Sequence, residues 1–287
     1  MKKSDSDKFY GKIDIVLVAA VSLLMALGVL MVYSASRYNA EVNYGNKYYY
    51  MFKQLTGVVL GAVAMVACAI ADYHVLKKLR YVILAVSFAL LVAVFIPGVG
   101  VENYGAKRWI NLPFFTIQAS EIAKFGFIIF TAAYMAKNYE KMSTFRGLIP
   151  VLAVGAAMCV LIIAEPNMSI TMCMILLMFA MLFVGGASFK HFLVLLVPVA
   201  LLVPLLIVLE PYGLKRLTAF LNPWSSPLGE GYQLIQSLYG LSNGNLFGVG
   251  LFRSRQKYRF LPFAESDFIL SVIAEETRSS GLSAALR

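Results

Sequence analysis

Seven apolar runs, at 13–33, 53–71, 80–98, 119–136, 147–164, 168–187 and 190–210, constrain this chain more than any other feature. Crossing a bilayer's hydrocarbon core takes about 20 apolar residues in a helix, and each run reaches or nears that length. An eighth run begins at residue 267. Hydrocarbon cannot satisfy backbone N–H and C=O groups, so a spanning segment must bond its own. The pattern predicts an all-α fold, a polytopic membrane helical bundle with no water-soluble domain. Composition agrees: 60% of residues are hydrophobic and 14% charged, against about 25% charged in soluble domains. The first run exceeds the roughly 7–15 apolar residues of a signal peptide, which predicts an uncleaved first helix.

The net charge of +10 does not point to nucleic acid, because no basic stripe with stacking aromatics forms a groove. The cations cluster between the apolar runs instead. Lys2, Lys3, Lys8 and Lys12 precede the first run. Lys77, Lys78 and Arg80 follow the second, and Lys137, Lys141 and Arg146 follow the fourth. The alternate gaps hold fewer cations. The positive-inside rule then predicts a cytoplasmic N-terminus and an extracytoplasmic loop at 211–266. That loop carries Lys215, Arg216, Arg253, Arg255, Lys257 and Arg259, an arrangement that invites an anionic ligand. Its glycines and prolines, with aromatic and apolar residues between them, predict short re-entrant or interfacial helices, one of them over 229–244. Cys68, Cys159 and Cys173 lie within apolar runs and suggest no disulfide framework. His74 and His191 are far apart in sequence, which argues against a zinc site. Both are expected at helix ends near headgroups.

Several polar groups could carry chemistry. In "YGAKRWINLPFFTIQASEIAKF" (104–125), Ser120 is expected to cap the fourth span. Glu121 and Lys124 are three apart and share a helix face. They form either a structural ion pair or part of a polar cavity, with Lys107 and Arg108 at its mouth. Those two cations suit a phosphate or a lipid headgroup. In "AEPNMS" (164–169), Glu165 and Pro166 end the fifth span and Asn167 could cap the sixth. In "RSRQKYRFLPFAESDF" (253–268), four cations precede Glu265 and Asp267. Asp267 could simply cap the next helix, where the dipole favours a carboxylate. Alternatively, partial burial would tune it as a general base. Glu275 and Glu276 are expected to face the bundle interior, and Glu265 to hold a loop cation.

The segments "GAKRWI…QASEIAK", "EPNMS", "RLTAFLNPW…GYQLIQSL", "NGNLFGVGL…RQK" and "LPFAESDFILSVIAEE" occur in the order found in the SEDS family (shape, elongation, division and sporulation), which includes FtsW, SpoVE and RodA. The chain resembles that family from about residue 13 to 276. The "VYSAS" and "DYHVLKK" segments look more like FtsW or SpoVE than RodA. The resemblance implies a ten-helix fold, with about eight spans present here in one membrane domain of the bacterial cytoplasmic membrane. It implies a peptidoglycan glycosyltransferase that polymerises lipid II, with undecaprenyl pyrophosphate as leaving group. Asp267 aligns with the proposed catalytic acid of the family's "DF" motif. Lys124 aligns with the "SExxK" lysine beside Glu121, and Arg108 with the "GAxRW" arginine. Arg216 aligns with the loop arginine that precedes Phe220 and Pro223. Lys107 and Lys257 complete the expected substrate-binding cations. No cofactor is certain, although a divalent cation (Mg or Mn) could accompany the substrate pyrophosphate. The implied partners are a class B penicillin-binding protein and other divisome or elongasome membrane proteins.

Some positions depart from the family pattern. Phe263 replaces a common glutamate and Glu265 a frequent histidine. Asn245 and Phe252 replace glycines of a turn, and Asn167 replaces an aspartate. After "EE" the sequence reads "TRSSGLSAALR" where the family continues through two more helices. This predicts an incomplete reading frame of doubtful activity, with Arg278 at membrane depth costing about 2.5–3.5 kcal/mol on insertion scales. Two rival readings use the same groups: a lipid II flippase and a non-catalytic divisome scaffold.

Overall fold

The computed structural model describes residues 14–103, 106–111, 116–209, 215, 218–245 and 247–277, with backbone alone at 102–103, 106 and 202–209. Arg216, Arg278 and the four N-terminal lysines lie outside the described residues. The fold is mostly helical. Seven long helices follow one another: α1 (Ile15–Tyr44), α2 (Tyr49–Ile70), α3 (His74–Ala93), α4 (Ala119–Lys137), α5 (Phe145–Ala164), α6 (Met168–Val184) and α7 (Phe189–Leu209). Two shorter ones are α8 (Tyr232–Asn243) and α9 (Ile269–Thr277). Among the described residues, α1, α2, α4 and α5 are long and apolar enough to cross a membrane, and apolar helices at Met168–Val184 and Phe189–Leu201 accompany them.

The helices track the apolar runs, with informative offsets. Helix α1 continues eleven residues past the expected end at 33, through "SASRYNAEVNY", and stops at Gly45 in the left-handed conformation (φ 66°). Hydropathy marks the lipid-facing part of a helix, not its hydrogen-bonded length. Helix α3 begins at His74, six residues early, where Asp72 Oδ1 accepts from the His74 backbone N–H at 2.9 Å.

The chain divides into two compact units, 68–210 and 1–67 with 211–287. In the first, Phe127, Met158, Ile162, Met174 and Leu91 form a close-packed core. Helices α3 and α4 approach closely at Gly126, where a Cβ would lie 2.1 Å from Ser87 Oγ. This unit also holds a three-stranded antiparallel sheet that the hydropathy reading did not anticipate. Strands β1 (Gly100–Asn103), β2 (Ala106–Asn111) and β3 (Thr116–Gln118) pair in that order. Trp109 pairs with both Val101 and Gln118. Strand β3 runs directly into α4, whose N-cap is Gln118 without a side-chain bond. Ser120 is therefore not the expected cap, and its buried hydroxyl finds no partner among the described residues.

In the second unit, Ala35 on α1 packs with Leu261, Ala264 and Val272. Most of α1 before Met31 is uncovered and α2 buries none of its residues, as expected of lipid-facing helices. The predicted helix over 229–244 is present as α8, ending at Gly244.

Candidate active site

Asp267 lies in the turn that leads into α9. Leu261 and Ala264 bury against α1, and the N–H groups of Ser266 and Phe268 donate to the Phe263 carbonyl at 3.1 and 3.3 Å. These contacts fix the turn and leave Asp267 exposed. The partial burial expected of Asp267 is thus absent. It is not a helix cap either: α9 starts two residues later, and the carboxylate accepts no hydrogen bond from a described residue. What remains is an exposed acid on a braced turn, with no partner among the described residues.

About two turns along α9 lies a buried polar knot. Glu276 and Glu275 face the interior as expected, 2% and 0% exposed. Ser34 Oγ on α1 lies 2.9 and 2.8 Å from the two oxygens of Glu276. Lys257 Nζ donates to Glu276 at 3.0 Å, and so does the Ser254 N–H at 3.2 Å. Glu275 accepts from Ser254 Oγ, from the Gln256 N–H at 3.4 Å and from Asn243 Nδ2 at 3.5 Å. The turn before this segment hydrogen-bonds the last carbonyls of α9: the Val249 N–H donates to Glu275 O and the Gly250 N–H to Glu276 O. Only glycine fits at 248, where φ is 71° and a Cβ would sit 2.3 Å from Glu276 O. Lys257, expected at the substrate, is 3% exposed and committed to Glu276, so its charge is spent inside the protein. Glu265 accepts from Asn39 Nδ2 at 3.3 Å and pairs with no cation among the described residues. The loop cation Arg259 instead donates to Asn39 and Asn43 on α1.

Sequence reasoning missed Ser34 and Ser254. A serine within an apolar run such as "VYSAS" is a usable signal, because polar side chains in spanning helices turn toward partners. Asn245 and Phe252, which stand where the family has glycines, adopt φ of 43° and 64°. The backbone keeps the left-handed turn, with strain at Phe252.

In the other unit, Glu121 and Lys124 pair at 2.8 Å as their spacing predicts, with Glu121 the more exposed partner. Lys107 on β2 is exposed. Its neighbour Arg108 is half-buried and donates to the Glu165 and Pro166 carbonyls of the α5–α6 turn. Asn167 caps α6 as expected, accepting from the Ile170 N–H at 3.4 Å. Glu165 in that turn is 1% exposed, and neither carboxylate oxygen has a partner among the described residues. Burial pushes its carboxyl up to about 7, with the Arg108 charge opposing the rise. Among the described residues no three His, Cys, Asp or Glu side chains gather as a metal cage.

Apolar helices of spanning length, a buried ionic knot and cations beside the helix turns define a multi-pass membrane protein. The comparisons make this specific. The model of the cell cycle protein family FtsW/RodA/SpoVE matches residues 14–286, and the chain belongs to that family. It is 37% identical over 265 residues to stage V sporulation protein E of Bacillus subtilis (strain 168), a match covering 92% of this chain and 72% of the relative. It is 35% identical over 274 residues to the probable peptidoglycan glycosyltransferase FtsW of Nitrosomonas europaea, covering 94% and 71%. Among solved structures, one chain of a peptidoglycan synthase complex superposes with a TM-score of 0.72 at 26% identity, covering 96% of this chain and 75% of that one. The rod shape determining protein RodA of Thermus thermophilus gives 0.53 at 26% identity, covering 67% and 60%.

Proposed function

We propose that this chain is a peptidoglycan glycosyltransferase that polymerises lipid II at the outer face of the bacterial cytoplasmic membrane. The observation that carries the reading is similarity over more than nine-tenths of the chain to proteins named as such glycosyltransferases. In this reading the chain is one membrane domain with a cytoplasmic N-terminus and the 211–266 loop outside.

Asp267 is the proposed general base. A sugar hydroxyl of one lipid II attacks the anomeric carbon of a second molecule. Asp267 takes the hydroxyl proton as the new C–O bond forms. The bond from that carbon to the diphosphate breaks, and undecaprenyl diphosphate leaves with the electron pair. The Asp267 carboxylate is exposed, and among the described residues no internal partner competes for the proton, which supports this role. Developing charge on a leaving diphosphate is best met by fixed cations. Lys107, Arg108, Lys124 and Arg216 are the proposed ones, with Glu121 orienting Lys124. Any Mg or Mn ion would arrive with the diphosphate. The similarity to a chain from a peptidoglycan synthase complex supports a class B penicillin-binding protein partner.

The chain purified into lipid vesicles and supplied with lipid II tests the reading. Glycan strands are expected. Headgroup crossing without strands would favour a flippase, and neither activity would leave a scaffold.

A further inference from the structure

The loop cations Arg253 and Arg255 take no part in the chemistry above. They line a pocket of about 400 Å³ with Asn243, Val249 and Glu275. Burial alternates along this stretch: Arg253 and Arg255 are exposed, whereas Ser254 and Gln256 are buried. The two buried residues are pinned to Glu275 through Ser254 Oγ and the Gln256 N–H. The turn just before is pinned to the end of α9 by the Val249 and Gly250 N–H groups. The backbone carrying both guanidinium groups is therefore held on either side, while neither guanidinium has a hydrogen bond or ion pair with a described residue. Two exposed guanidinium groups, engaged by no described residue and carried on a braced backbone, suit an anion, because the backbone needs no further ordering on binding. Guanidinium geometry favours phosphate, which it can grip through two parallel N–H donors.

We propose that Arg253 and Arg255 form a binding site for a phosphate ester. Glu275, fully buried and engaged by Ser254, Gln256 and Asn243, anchors the segment that presents them. A phosphate next to a bulky quaternary ammonium is disfavoured, since that cation would face both arginines. Phe247, Leu251 and Phe252, exposed in the same segment as Val249 and Arg253, suit a headgroup that carries acyl chains, but a free ester presents the same chemistry. The site is independent of the polymerase reading.

The test uses the full chain in nanodiscs of phosphatidylcholine with a minor share of phosphatidylglycerol, and separately the detergent-purified chain with glycerol 1-phosphate. Native mass spectrometry counts retained phosphatidylglycerol, and calorimetry measures glycerol phosphate binding. The Arg253→Ala/Arg255→Ala variant is expected to lose at least one retained phosphatidylglycerol, or to bind glycerol phosphate at least tenfold more weakly. Arg253→Lys/Arg255→Lys should recover part of the loss, and Arg37→Ala, which removes an exposed cation elsewhere, should lose nothing. A response in the lipid arm alone assigns the bilayer as the source, and a response in both arms assigns a site open to the free ester. Unchanged binding in both arms for the alanine pair, or an equal loss in Arg37→Ala, overturns the proposal.

Discussion

Glu276 and Glu165 are both almost fully buried, yet they are housed differently. Glu276 is surrounded by Ser34, the Ser254 N–H and Lys257. Its charge is matched by a cation and its oxygens by donors from α1 and the loop before α9. Glu165 has a cation nearby, but the Arg108 guanidinium bonds the backbone carbonyls of the turn and not the carboxylate. A buried carboxylate with partners holds a fold in one arrangement, and one without partners is a group whose protonation the protein has left open. The first kind ties α1, α8 and the loop to α9, and through it braces the turn that carries Asp267. The second kind makes the α5–α6 turn sensitive to pH.

The largest expected effect breaks the satisfied site. Glu276→Ala leaves Lys257 charged and buried, which costs about 3–5 kcal/mol. Thermal unfolding of the purified chain in detergent should show it, and Lys257→Met/Glu276→Leu should recover most of the loss. If Glu276→Ala melts like the parent, the knot does not hold α9.

The pH sensitivity of Glu165 comes next. Its folded-state value of about 7 lies above the ordinary 4.5. Stability is therefore full below about 4.5 and declines as the pH rises through 7, by about 3 kcal/mol. Glu165→Gln should remove that slope and leave the variant more stable than the parent at pH 8. A parent whose unfolding midpoint is flat between pH 4.5 and 8 would contradict the contrast.

Smaller changes sharpen it. Ser254→Ala removes a hydrogen bond to the Glu275 carboxylate and should cost about 1.5–3 kcal/mol in the same melting assay. Glu121→Gln breaks a pair whose acid is largely solvated, and should cost no more than about 0.5 kcal/mol. A larger loss would mean that the Glu121–Lys124 pair is itself a closed structural site.

Much of the scaffold was legible because hydrophobic run length is a physical requirement of the bilayer. The run at 119–136 became α4 within one residue, and Asn167 caps α6 as its position suggested. The sheet at 100–118 was not legible: its strands have three to six residues, too few for alternation to register. Two acids within the "IAEE" run implied interior partners, but four nearby cations offered no means of choosing Lys257. The expectation therefore placed Lys257 at the substrate, whereas the structure pairs it with Glu276. The pairing of Glu121 with Lys124 was readable because helical spacing is fixed. The isolation of Glu165 was not, because it depends on where the Arg108 fork finds carbonyls, a tertiary fact.

The central claim is that Asp267 accepts the proton in glycan polymerisation. Purified Asp267→Asn supplied with lipid II tests it most directly, alongside the unmodified chain. The account predicts that strand formation falls by at least about 100-fold while the melting temperature is unchanged, since the exposed side chain has no described partner to lose. Polymerisation at the parent rate by a folded Asp267→Asn protein would contradict it.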